Sequence, residues 1–69
     1  MIEILTADEL AELLRISANR VLRLARIGEI PSLMIDGRVR FDAREIEDWI
    51  KIQRENVPLR NPPRLANND

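Results

Sequence analysis

The sequence predicts one small α+β domain, mainly α, in which two helices joined by a tight turn precede a β-hairpin and a closing helix. Three observations support this fold class. First, a capping residue precedes each of three runs in which apolar residues recur at helical spacing. Second, only two residues lie between the first run and the cap of the second. Third, an Asp-Gly pair divides two short apolar-rich segments. The chain has 69 residues, which allows one core of modest size.

The first helix is predicted over residues 7–14. Thr6 and Glu9 have the spacing of a capping box, and Leu5 and Leu10 have that of a hydrophobic staple. Apolar residues recur along one side of this helix at helical spacing. Its acidic residues fall on the opposite side: Asp8, Glu9 and Glu12.

The second helix is predicted over residues 18–27, with Ser17 as its N-cap and Gly28 as its C-terminal stop. Only Arg15 and Ile16 precede the cap, so the two helices must cross steeply, as in a helix-turn-helix. At about 100° per residue, one face of this helix is apolar. The outward side and its flank carry the polar residues: Asn19, Arg20, Arg23 and Arg26.

A hairpin is predicted over residues 32–41, around Asp36-Gly37. A two-residue loop would pair Ile35 with Arg38 and Leu33 with Arg40, which mixes apolar and charged side chains on one face. A three-residue loop would pair Met34 with Arg38 and Leu33 with Val39, which separates the two kinds of side chain. We therefore expect the three-residue loop. It would leave these residues on one face: Leu33, Val39 and Phe41. The other face would carry Met34, Arg38 and Arg40.

The closing helix is predicted over residues 43–54, with Asp42 and Glu45 as a second capping box. Its apolar face contains Trp49, which we expect to anchor the core against the first helix and the hairpin. Residues 1–55 would form the domain. Residues 56–69, rich in Pro and Asn and poor in apolar residues, would form a disordered tail.

The charges divide the chain into blocks that the net charge of −1 conceals. Residues 1–14 carry four acids and no base, whereas residues 15–44 carry seven Arg and three acids. Arg presents a planar fork of donors that fits phosphates and guanine edges. The block favours a nucleic-acid partner, although Arg26 with Glu29 and Arg44 with Asp48 could instead form surface ion pairs.

Several classes of protein are disfavoured by the composition. The chain has no Cys and no His, which removes the usual nucleophilic thiol, the commonest acid/base group and the commonest metal ligands. We expect no enzyme activity, no catalytic or metal-binding residue, no cofactor and no small-molecule ligand. No segment has the length of a membrane span and no secretory signal is evident, so we expect a cytoplasmic protein.

The chain resembles the excisionase-type helix-turn-helix proteins, small relatives of the MerR-like winged-helix group. Residues 5–14 resemble the opening helix of that family, and residues 37–41 its hairpin wing. Residues 42–50 resemble its closing helix. The recognition helix and the Gly-Glu-Leu-Pro step after it are matched by Ser17, Val21, Arg23, Gly28, Glu29, Ile30 and Pro31, with Ile30 in place of Leu. The resemblance covers residues 4–52.

Two positions depart from the family pattern. Met34 stands where members often carry a polar or basic residue, and Ala18-Asn19 stand where a basic pair is common.

The resemblance implies a winged helix-turn-helix that binds double-stranded DNA, with helix 18–27 in the major groove and wing 32–41 on the minor groove or backbone. The residues it implies in DNA binding are Ser17, Ala18, Asn19, Arg20, Arg23, Arg26, Arg38 and Arg40.

The resemblance further implies a bacterial or phage protein that acts as an excisionase-like recombination directionality factor or as a small transcription regulator of a mobile element. A recombinase, or neighbouring copies on DNA, would be its protein partners. The alternative from another class is a protein-interaction adaptor that uses the acidic side of helix 7–14 and the tail. An adaptor has no need of Arg on both the second helix and the wing.

Overall fold

The first helix, α1, has the predicted bounds, Ala7–Leu14. The computed structural model describes residues 1–56 of the chain. Thr6 Oγ1 accepts from the Glu9 N–H at 3.1 Å, and the Glu9 carboxylate accepts from the Thr6 N–H at 2.9 Å. This reciprocal pair is the predicted capping box. Arg15, in the left-handed conformation, ends the helix.

The second helix, α2, covers Ala18–Arg26 and is one residue shorter than predicted. The Ser17 hydroxyl caps it by accepting from the Arg20 N–H at 3.1 Å. Gly28 has a φ of 83°, and the next N–H, that of Glu29, donates to the Leu24 carbonyl at 2.8 Å. This Schellman-type ending confirms the stop at Gly28 and turns the chain toward the hairpin.

A strand that the sequence did not predict, β1, lies at Ile4–Leu5. It pairs antiparallel with β3, Arg38–Asp42, which also pairs with β2, Leu33–Ile35, so the order is β1-β3-β2. Leu5 stands opposite Phe41. A segment of two residues is too short to show the alternation that identifies a strand.

The hairpin register differs from the predicted one. Leu33 pairs with Arg40, Met34 with Val39 and Ile35 with Arg38, so the loop is Asp36-Gly37 alone. Both loop residues have positive φ, 53° and 75°, as in a type I′ turn.

The prediction of a three-residue loop was therefore wrong. Met34, not Leu33, shares the face of Val39 and Phe41. The type I′ turn matches the right-handed twist of the strands, and the long aliphatic stem of Arg40 tolerates Leu33 as its cross-strand neighbour. These two effects outweigh the separation of apolar from charged side chains.

The closing helix, α3, covers Ala43–Glu55, one residue beyond the predicted end. Asp42 caps it, but its carboxylate accepts from the Arg44 N–H at 2.9 Å and not from Glu45, as a capping box requires. An N-cap oxygen can accept from either the second or the third N–H of a helix, and Asp42 uses the second. The predicted tail lies outside the described residues, apart from Asn56, the C-cap of α3.

The core draws one or two side chains from nearly every element. Its fully buried residues, each less than 2% exposed, are Leu10, Val21, Ile30 and Phe41. Leu5, Ala11 and Ile46 complete it. Trp49 packs at its edge, half-buried, and its indole N–H donates to the Glu29 carbonyl at 2.8 Å. None of the helices within residues 1–56 has the length and apolarity needed to cross a bilayer.

Candidate nucleic-acid interface

A surface cleft runs along the outer face of α2. It is lined by Ser17, Asn19, Arg20, Leu22, Arg23 and Arg26. Five of these six residues are ones that the sequence predicted for a DNA-binding surface, and none is acidic. The structure therefore brings the three Arg of α2 together on a single exposed face.

The orientation of this face is fixed by the core on the other side of α2. Val21 is fully buried, and Leu24 and Ala25 pack against the same cluster. Because successive residues are about 100° apart, Asn19 and Arg23 must then point outward. Both are exposed.

Two backbone N–H groups at the start of α2 have no partner within the helix. The first helical hydrogen bond there runs from the Val21 N–H to the Ser17 carbonyl, and the Arg20 N–H bonds to the Ser17 hydroxyl. The N–H groups of Ala18 and Asn19 precede these bonds and have no partner within the helix. Together with the helix dipole, such groups favour an anion at this end.

The guanidinium groups on α2 are not tied to carboxylates. In the part of the chain that the structure describes, the one guanidinium hydrogen bond runs from Arg40 Nη1 to the Val39 carbonyl at 2.9 Å. Neither Arg26 and Glu29 nor Arg44 and Asp48 form a side-chain hydrogen bond there. The Arg side chains along the cleft therefore keep their donors for another partner.

Three of the predicted site residues lie outside this cleft. Ala18 is half-buried and packs against the core. Arg38 is exposed beside the hairpin turn, and Arg40 is half-buried. Since side chains alternate along a strand, Arg38 and Arg40 lie on one face of the hairpin and Val39 lies on the other. The structure thus separates the Arg residues of the hairpin from those of α2.

A second cleft, of about 330 Å³, lies between α2 and the hairpin. Its lining residues are Leu22, Ala25, Arg26, Ser32, Met34 and Val39. Leu22 and Arg26 line both clefts, so the two form one continuous surface. Sequence reasoning missed Leu22, although it lies three residues from Asn19 and four from Arg26, which is helical spacing on the same side.

The carboxylates of α1 line a different cleft. Asp8, Glu9 and Glu12 lie there, beside Arg15 and the start of α2. The acids of α1 and the three Arg of α2 thus line different clefts, although Arg15 lies beside the acids.

Comparison with known protein families agrees with this geometry. A family model described as a helix-turn-helix domain matches residues 4–54, about three quarters of the chain. The chain belongs to this excisionase-type helix-turn-helix family. No curated protein and no solved structure matches the chain significantly.

In this helix-turn-helix domain, α1 and α2 are the two helices of the motif, and α2 is the second. The match supports binding to double-stranded DNA, and domains of this family are typically not enzymes. The second helix of the motif is the one that occupies the major groove. The helix-turn-helix domain therefore has its Arg-lined cleft on the element that the motif uses to contact DNA.

Proposed function

We propose that residues 1–55 bind duplex DNA sequence-specifically, with α2 in the major groove and the wing, residues 32–41, on the adjacent minor groove or backbone. The cleft of α2 carries the proposal, because it combines three Arg and one Asn with no carboxylate. The second helix of the motif has the diameter that the major groove admits.

Base contacts are assigned to the middle of the exposed face. Asn19 can form paired hydrogen bonds to adenine, and Arg23 can do the same to guanine N7 and O6. Arg20, on the flank of the face, can contact either a base or a phosphate. These assignments use the residue types whose donors match the donor and acceptor pattern of the major groove.

Phosphate contacts are assigned to the ends of the interface. The Ser17 hydroxyl and the free N–H of Ala18 can bind one phosphate oxygen at the start of α2. Arg26, about two turns further along, fits the backbone. Arg38 and Arg40 on the wing fit a neighbouring minor groove or its phosphates. Arg38 is better placed for this than Arg40, whose guanidinium already donates to Val39.

The Arg23→Ala variant tests the assignment of α2. Duplexes selected from random DNA by the wild-type protein supply the probe. We expect the variant to lose about 1–3 kcal/mol of binding free energy and to relax the preference at one base position, because a paired contact to one base is removed. Gel-shift titration of the selected site and of its single-base variants measures both effects.

The matched control is Arg54→Ala, which removes the same exposed side chain from the last turn of α3. It should leave the base preference unchanged. If Arg23→Ala binds every sequence as the wild type does, α2 is not the element that contacts bases.

The small size of the domain suggests how it acts in the cell. One such module buries on the order of 600–1,000 Å² on DNA, too little for strong genomic specificity by itself. We therefore propose that it binds several neighbouring sites or acts beside a recombinase in a bacterial cytoplasm. It would serve as a recombination directionality factor or as a small regulator of a mobile element. An excision assay on a linked element, with and without the protein, separates these two roles.

One observation favours a second candidate function. The cleft that the acids of α1 line shares no lining residue with the Arg-lined face, so a basic protein could bind there. As an adaptor alone, the protein would enrich no duplex from random DNA, and that result would replace the first proposal.

A further inference from the structure

An apolar side chain lies within the Arg-lined face of α2. Leu22 is half-buried, yet it is not among the partly buried apolar residues that pack against the core. It lines the outer cleft together with Asn19 and Arg26. Core packing therefore does not account for a Leu at this position.

A second apolar side chain faces it across the gap between α2 and the hairpin. Met34 is 66% exposed and lines the same cleft as Leu22. The two-residue turn decides this placement, because it pairs Met34 with Val39 on the strand face that borders α2. Leu22 and Met34 thus form an apolar spot at the junction of the helix and the wing, beside Arg26.

The major groove of DNA offers one apolar group that fits such a spot. Thymine carries a C5 methyl, whereas the other base edges present donors and acceptors there. Leu22 lies three residues from Asn19 on the same side of α2, so it would lie against base edges when Asn19 binds a base. We propose that Leu22, on the α2 side of this spot, contacts a thymine methyl in the major groove and selects thymine at one position of the site. This inference rests on the proposed function, since it requires α2 to lie in the major groove.

Deoxyuridine provides the test, because it differs from thymidine only by the missing methyl. The probe is a duplex selected from random DNA by the wild-type protein, with each thymine replaced in turn by uracil. At the contacted position we expect the wild type to bind the uracil duplex about two- to fivefold more weakly than the thymine duplex. The reason is that the uracil duplex lacks one methyl group that the contact would bury. Fluorescence anisotropy gives both dissociation constants.

The Leu22→Ala variant should bind the thymine and uracil duplexes equally at that position. The ratio of the two constants is internal to each variant, so a smaller folded fraction does not alter it. The matched control is Leu13→Ala, since Leu13 is 65% exposed on α1 and lines neither cleft of α2. This control should keep the full preference for thymine.

Three results would overturn the inference. In the first, the wild type binds every uracil duplex as tightly as the thymine duplex. In the second, Leu22→Ala keeps the full preference for thymine over uracil. In the third, Leu13→Ala loses that preference as well. In each case sequence-specific binding itself persists. A protein that binds no duplex at all would instead overturn the proposed function.

Discussion

The contact of Trp49 with the carbonyl of Glu29 shows how one side chain links distant segments. Its indole lies at the edge of the core, and the N–H reaches the loop after α2 at 2.8 Å. The sequence predicted an anchor against the first helix and the hairpin. Trp49 does pack against the core, and its hydrogen bond in addition joins α3 to the segment that follows α2, which supports the end of that helix.

We expect Trp49→Phe to lower the free energy of unfolding by about 0.5–1.5 kcal/mol. The Phe ring keeps most of the apolar contact but lacks the N–H donor. Urea titration followed by circular dichroism measures the change. Trp fluorescence does not serve here, because the variant lacks the only Trp of the chain. An unchanged midpoint would mean that water replaces the hydrogen bond at no cost. DNA affinity per folded molecule should stay as it is.

Among elements, the hairpin depends most on a single backbone geometry. Asp36 and Gly37 both have positive φ, which the type I′ turn requires. The turn sets which strand face carries Met34 and which carries Arg38. The surface beside α2 therefore depends on the two loop residues.

We expect Gly37→Ala to destabilise the protein by about 1–2 kcal/mol, the usual cost of a left-handed conformation for a residue with a side chain. Beyond its two chain neighbours, a Cβ at Gly37 would meet no atom within 4 Å, so the cost comes from the local backbone and not from a tertiary clash. Gly37→Asn is the control, because Asn tolerates this region better. Thermal unfolding that ranks Ala and Asn equally would contradict the turn assignment.

At the scale of the whole molecule, the separation of charge matters more than the net charge of −1. The cleft on α2 has three Arg and no acid, whereas the acids of α1 line another surface. A protein of slightly negative net charge can therefore still present a positive face to DNA.

This separation predicts a strong salt dependence of DNA binding. If about four to six phosphates are neutralised, log affinity should fall with log salt at a slope of roughly −4 to −5. Gel-shift titrations at several salt concentrations measure the slope. Arg38→Ala should reduce its magnitude by about 1, whereas Arg54→Ala should not change it. A flat response would show that the Arg-lined face is not where DNA binds.

The sequence by itself determined the helices and most of the outer face of α2. Capping residues such as Thr6 and Ser17 act within one turn, so the starts of the helices can be predicted from adjacent residues. Helical spacing likewise placed Asn19 and Arg23 on one side of α2, because the apolar residues had to take the other.

Only the tertiary structure decided the strand β1, the hairpin register and the apolar spot formed by Leu22 and Met34. β1 and the apolar spot depend on contacts between residues far apart in the chain, as Leu5 with Phe41 shows. The hairpin register depends on which of two local pairings the strand twist favours. Local spacing carries no information about such partners. The twist of the strands and the packing of the hairpin beside α2 set them, and these are properties of the assembled domain.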